Sequence, residues 1–254
     1  MIPLFKTTYS LKSILTLDKP EKVKPDGADS VVEIAVSNNL ERVYLLEDTM
    51  IGFKKALEIF GAKNIELVFG VRFNMCNNRL DEDKTSSASK IAIFAQNDEG
   101  CRELMKLYSA AFTESQGYVD SDLLRKVWSD NLFLALPFYD SFIHRNAFWF
   151  QNCIPDLTFT KPTVLLEDNE LQFDQILRRK VLQYAKQQNL PTQEAKTIYY
   201  KHRNDFTAYQ TYRIITGRTG GKQQTLENPN LEDMTSREFC WESFVEKNGQ
   251  TSQA

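Results

Sequence analysis

Residues 91–100 read Ile-Ala-Ile-Phe-Ala-Gln-Asn-Asp-Glu-Gly, and within ten positions they hold a strand and the start of a helix. Ile91–Ala95 is a short apolar run with β-branched members, the pattern of a strand buried on both faces. Gln96 breaks the run. Asn97 or Asp98 then offers a side-chain oxygen of N-cap type, and Glu99 places negative charge near the first turn. Beyond it, Cys101, Leu104, Met105, Tyr108 and Phe112 recur at helical spacing, which predicts a helix over 98–113 with those residues as its apolar stripe.

The same alternation extends in both directions. Val43–Glu47 (VYLLE), Ile65–Phe69 (IELVF), Leu132–Leu136 (LFLAL) and Thr163–Glu167 (TVLLE) have the length and composition of buried strands. Two further strands are expected near the N-terminus and at 192–199. Helices are expected over Ser30–Asn38, over Gly52–Phe60 and over 174–189. The last would bury Ile176, Leu177, Val181, Leu182, Tyr184 and Ala185, and Leu190-Pro191 ends it, because proline pushes its predecessor out of helical geometry. Strand followed by helix, repeated, is the signature of parallel βα units. About seven strands suit a small distorted barrel as well as an open sheet. The Ser-rich stretch Cys76–Lys90 reads as a mobile loop and 246–254 as a flexible tail, leaving 1–245 as a single domain.

Composition narrows the function. With 42% hydrophobic and 26% charged residues, the 254-residue chain has the balance of an ordinary globular domain. A net charge of −3 argues against bulk electrostatic attraction to nucleic acid. Cys76, Cys101, Cys153 and Cys240 are scattered without a C-x-x-C pair, which points away from zinc and disulfides and toward a reducing cytoplasm. The opening MIPLFK lacks the apolar segment of a signal peptide, and no apolar run reaches membrane-spanning length, so no membrane association is expected.

Several segments, in order, resemble the PHP (polymerase and histidinol phosphatase) domain that opens the bacterial DNA polymerase III alpha subunit. Leu4–Ser10 resembles that family's H-x-H-S-x-Y-S, Val43–Phe53 the strand and turn carrying its T-D-H, and Gly70–Phe73 its G-x-E-x. Ala95–Gly100 with Leu104, Leu107 and Ser109 is similar to its A-x-N, x-x-G and L-x-x-L-x-S. Thr163–Glu167, Leu190–Tyr200 with Asp205-Phe206 and Thr216-Gly217, and Met234–Glu238 continue the likeness, which spans roughly 4–245. It implies a distorted seven-stranded (β/α)7 barrel and a role in DNA replication.

An active site of this family holds two or three metals on several histidines with Asp and Glu. This chain has only two histidines, His144 and His202, and neither falls on a motif position. The ligand positions correspond to Leu4, Lys6, Glu47, Asp48, Arg72, Thr197 and Tyr199. Leucine cannot ligate, and lysine or arginine repels a cation. The resemblance therefore implies a degenerate metal site with no catalytic residue and no cofactor, save a weak Mg²⁺ or Mn²⁺ at Glu47/Asp48. Lys6 and Arg72 are expected to face Glu47 and Asp48 and to replace the metal charge by ion pairs, or to bind a phosphate.

The implied function is that of a catalytically inactive replication scaffold, binding a polymerase body or a proofreading exonuclease. One alternative is a divergent metal-dependent phosphoesterase or 3′–5′ exonuclease, which requires Glu47, Asp48, Asp140, Glu167 and Asp168 to converge. Another is a nucleic-acid-binding module, with Lys201, Arg203, Arg218 and Lys222 on the backbone and Tyr199, Tyr200, Tyr209 and Tyr212 offering stacking surfaces. The basic triplets 178–180 and 201–203 equally suit a solvated face. Thr216–Lys222 lacks the first glycine and the final Ser/Thr of a P-loop and reads as a turn. The aromatic clusters 148–150 and 239–241 read as core, with an exposed tryptophan there serving as a partner anchor.

Overall fold

The computed structural model describes residues 1–217, 224–230 and 232–251. It has mixed α/β architecture. In chain order the principal elements are β1 (Ile2–Phe5), α1 (Val31–Ser37), β2 (Arg42–Glu47), α2 (Phe53–Gly61), β3 (Glu66–Met75), β4 (Ser89–Ala95), α3 (Asp98–Ser115), β5 (Tyr118–Val119), α4 (Ser121–Val127), β6 (Leu132–Leu136), α5 (Phe142–Phe148), β7 (Thr163–Leu166), α6 (Asp174–Gln187), β8 (Thr192–Ile198), α7 (Phe206–Thr216) and α8 (Trp241–Thr251). The hydrogen-bonded strand order is β2-β1-β8-β7-β6-β4-β3-β5, with a further pairing of β2 and β3.

The chain forms two compact units, residues 1–67 with 168–174 and 195–254, and residues 68–167 with 175–194. In the first, β1 lies parallel to both β2 and the second half of β8. Ser30 caps α1, its hydroxyl accepting the Val32 N–H at 3.1 Å. Val31, Val32, Ile34 and Ala35 are fully buried, each large side chain contributing roughly 1.5–3 kcal/mol relative to exposure. Trp241 at the start of α8 stacks on Phe5 at 5.5 Å. Helix α8 continues through 246–251, where a tail was expected. Phe244 is buried, Glu246 pairs with Arg203 at 2.7 Å, and the Lys247 ammonium donates to the Asp168 carbonyl at 3.1 Å, which fixes the last turns.

In the second unit the expectation of uniformly parallel strands fails. Strand β4 is antiparallel to both β3 and β6, whereas β6 and β7 are parallel. The cause lies in the connection. Residues 76–88 carry only a short 3-10 turn, Lys84–Ser87, and not the α-helix that usually carries a chain back to a parallel neighbour. Arg79 fastens that stretch to Asp120 at 3.1 Å, and Asp120 also caps α4 by accepting the Leu123 N–H at 2.9 Å. Strict strand–helix alternation is thus lost between β3 and β4.

Helix α3 begins as read, with the Asn97 side chain accepting the Gly100 N–H at 2.9 Å. Its buried face differs from the expected stripe: Leu104, Leu107 and Ala111 are buried, while Met105 and Phe112 are exposed. Gly100 sets the rotation. A Cβ there would lie 2.2 Å from the Asn131 carbonyl oxygen, so the helix approaches that backbone along its glycine. In α6, Leu177, Val181 and Ala185 are buried, and Ile176 and Leu182 are exposed.

Candidate functional site

The parallel pairing of β1 with β2 and β8 sets Phe5 beside Leu45 and Ile198. The segments that follow, Lys6–Ser10, Glu47-Asp48 and Tyr199, leave the carboxyl ends of three adjacent strands. Carboxyl ends of parallel strands are where α/β proteins place their sites. Six of the seven expected site positions, Leu4, Lys6, Glu47, Asp48, Thr197 and Tyr199, therefore fall in one region of the first unit.

A charge cluster occupies that region. Lys6 is 1% exposed, and its ammonium lies 3.0 Å from Asp48 Oδ2. Glu47 is fully buried, and Thr7 donates to its Oε1 twice, from the N–H at 3.0 Å and the hydroxyl at 2.6 Å. The Ser10 hydroxyl donates to Oε2 and accepts the Asp48 N–H at 2.8 Å. Burial pushes the Glu47 carboxyl above its ordinary range, while Lys6, Ser10 and Thr7 pull it back part of the way. Leu4 is buried core, and Tyr199 stacks on Tyr209 at 5.4 Å while its carbonyl accepts the Ser13 hydroxyl at 2.7 Å.

A second buried ammonium escaped sequence reasoning. Lys196 donates to Asn169 Oδ1 at 2.8 Å and to the Asp168 carbonyl at 3.4 Å. The available signal was a lysine between Ala195 and Thr197 inside an expected strand.

Arg72, the seventh expected position, belongs to the second unit. Its guanidinium pairs with Asp140 at 3.0 Å, and Arg145 binds the other oxygen of the same carboxylate. Asp140 holds a left-handed backbone, φ 64°, and its N–H donates to His144 Nδ1 at 3.1 Å. His144 is thereby fixed as a neutral acceptor, and burial lowers its pKa to about 4. Glu167 is likewise buried in the second unit, while Asp168 in the first accepts the Glu170 N–H at 3.1 Å. Among the described residues, no group of three or more His, Cys, Asp or Glu side chains is placed to hold a metal ion.

The candidate nucleic-acid residues divide. Lys201 pairs with Glu33 at 3.1 Å and Asp29 at 3.5 Å. Arg203 pairs with Glu238 at 2.9 Å and Glu246 at 2.7 Å. Both charges are thus met by carboxylates. Arg218 and Lys222, with most of the glycine-rich turn, lie outside the described residues. Tyr199, Tyr200 and Tyr209 are buried and packed ring on ring, so these three do not offer stacking faces to bases. In the aromatic clusters, Trp241 is core, whereas Trp149 and Phe150 are exposed.

Fold and cluster define a mixed α/β protein in which a buried ion pair and hydrogen bonds engage polar groups at the carboxyl ends of β1, β2 and β8. No protein-family model matches the chain. Over 197 residues, 64% of its length, it is 26% identical to the DNA polymerase III subunit alpha of Chlamydia pneumoniae. The match spans 16% of that relative's length.

Proposed function

We propose that this chain is a catalytically silent PHP-type domain that serves DNA replication as a scaffold, docking a polymerase body or a proofreading exonuclease. The observation that carries the reading is the Lys6–Asp48 ion pair beside a Glu47 whose two oxygens are already engaged by Thr7 and Ser10. These stand at the positions where the resemblance places metal ligands. An ammonium 3.0 Å from the carboxylate supplies the positive charge a cation would otherwise bring. The residues present do not fit a multimetal cluster, and no reaction step is assigned to them. Similarity to the polymerase III alpha chain of Chlamydia pneumoniae supports the replication context.

Two measurements test this reading. The purified chain, supplied with Mn²⁺ and either p-nitrophenyl phosphate or end-labelled single-stranded DNA, is expected to give no turnover above buffer. Affinity purification from native lysate is expected to recover a polymerase body or exonuclease. Manganese-dependent hydrolysis abolished by Glu47→Gln would overturn the silent-site reading. Failure to recover either protein would overturn the scaffold.

A further inference from the structure

Three exposed aliphatic side chains of the first unit lie on segments bound to one short turn. Leu11 is 58%, Ile51 72% and Ile215 57% exposed. The 3-10 turn Thr8–Ser10 ties their segments together. The Thr216 hydroxyl donates to the Leu11 carbonyl at 3.1 Å, and the Thr49 hydroxyl donates to the Tyr9 carbonyl at 3.4 Å. The Tyr9 ring sits against Gly52, where an added Cβ would come within 2.7 Å of it. A larger residue at 52 would push the ring away and release the segment carrying Ile51. The same turn carries Ser10, which holds Glu47. The apolar rim is therefore built onto the charge cluster.

Leu11 sharpens the case. It caps the turn with φ 54°, a left-handed position usually given to glycine or asparagine. A leucine held there presents apolar surface to water at a position where a smaller residue would serve the turn. Two lysines adjoin these aliphatic residues in the chain. Lys12 follows Leu11 and has no ion pair among the described residues. Lys54, three residues after Ile51, is exposed, and among the described residues its one ion pair is with Glu58 at 3.9 Å. Asp48 is already engaged by Lys6.

We propose that this rim docks an acidic, apolar polypeptide segment of a polymerase-type partner. Large apolar side chains would cover Leu11, Ile51 and Ile215, and carboxylates would meet Lys12 and Lys54. The partner's identity rests on the scaffold reading above; the chemistry of the segment rests on the rim. A second copy of this chain fits poorly, because a two-fold contact through this patch sets lysines against lysines. Nucleic acid fits poorly because aliphatic side chains offer no ring for bases to stack on. A polymerase III alpha chain has ample length to supply the segment, since the match covers only 16% of the relative.

The test is selection of a phage-displayed random peptide library on the full chain, followed by fluorescence anisotropy with a labelled synthetic peptide from the enriched set. Enriched peptides are expected to combine large apolar residues with Asp or Glu. Affinity should fall at least tenfold on Ile51→Glu and on Ile215→Glu, fall on Lys12→Glu, weaken with salt, and stay unchanged on Trp149→Ala in the second unit. Thermal melts verify that the variants fold. Absence of enrichment, enrichment of peptides without carboxylates, or equal binding to the rim variants overturns the proposal. So does self-association in sedimentation that Ile51→Glu abolishes, which makes the occupant a second copy. If a polymerase body is recovered equally by wild type and the rim variants, the docking surface fails and the scaffold stands. If acidic peptides bind at the rim while no polymerase body is recovered, the surface stands and the scaffold fails.

Discussion

Replacing Lys6 by methionine removes one member of the buried pair while keeping the length and apolar stem of the side chain. Lys6 Nζ and Asp48 Oδ2 are 3.0 Å apart. Unit charges at that separation attract by about 5 kcal/mol at an effective dielectric of roughly 20. Lysine desolvation, absent from the variant, offsets part of this, and removing one member of a buried pair typically costs about 3–5 kcal/mol. The Asp48 side chain retains 19% exposure, so water softens the loss and the upper end of the range is not reached. Urea unfolding followed by tryptophan fluorescence should show Lys6→Met and Asp48→Asn each destabilised by about 3 kcal/mol, with the double variant no worse than either single one. The deficit of Lys6→Met should also shrink on acidification. Without Lys6, the Glu47 carboxyl is pushed further above its ordinary 4.5. A carboxyl whose folded pKa is raised favours the fold below its unfolded pKa and loses that contribution as pH climbs through the folded value. Strictly additive single variants, or a Lys6→Met change within about 0.5 kcal/mol of wild type, would refute the compensation argument.

Glu47→Gln turns an amide N–H₂ toward donors that now converge on a carboxylate, and should cost about 1–3 kcal/mol in the same unfolding assay. Asp140→Asn keeps a residue type that tolerates φ 64° but removes the charge shared by Arg72 and Arg145; a loss of about 3 kcal/mol is expected, with Asp140→Gly no better. Burial holds the His144 pKa at about 4 against an ordinary 6.5. Its contribution is therefore complete above pH 6.5 and is lost as pH falls through 4, amounting to about 3 kcal/mol; NMR titration should find its imidazole neutral at pH 5.5. Burial pushes the Glu238 carboxyl up, but Arg203 and Ser243 overcome this and hold it at about 2. Arg203→Ala should therefore loosen α8 above pH 4.5 and speed hydrogen exchange over 241–249, with the difference from wild type fading as pH falls toward 2.

Much of the scaffold was legible. LFLAL coincides with β6, and the other apolar runs match observed strands within a residue or two, apart from β3. That strand continues six residues past Phe69, through Gly70 and Arg72, beyond the apolar run. Gly70 is required because the Phe94 ring lies 2.4 Å from where its Cβ would stand, and Arg72 is tolerated because Asp140 meets it. Both causes lie on distant segments that no local pattern reports. Helices α4, α5, α7 and α8 carry no clear sequence signal, since α4 and α5 are only seven residues long and the order of α8 depends on tertiary partners such as Arg203. The antiparallel setting of β4 was hidden for the same reason, because hydrophobic runs carry no direction. At the site, charge logic anticipated the pairing of Lys6 with Asp48, whereas Arg72, expected to face the same carboxylates, pairs with Asp140. The roles of Thr7 and Ser10 around Glu47, and of Lys196, were missed. Small hydroxyls and a strand lysine look unremarkable until the carboxylate or carbonyl they serve is in place.

The engagement of Glu47 by Thr7 and Ser10 has a historical consequence on the proposed reading. Once those hydroxyls and the Lys6 ammonium have taken over the work of a cation, each single reversal exposes a buried carboxylate or orphans a donor, at about 1–3 kcal/mol a step against a typical margin of 5–15. A histidine restored at position 6 alone would meet no metal and forfeit an ion pair. Descent from a metal-bearing ancestor would in this way be ratcheted: each step down is individually tolerable, and the path back is closed unless several substitutions arrive together.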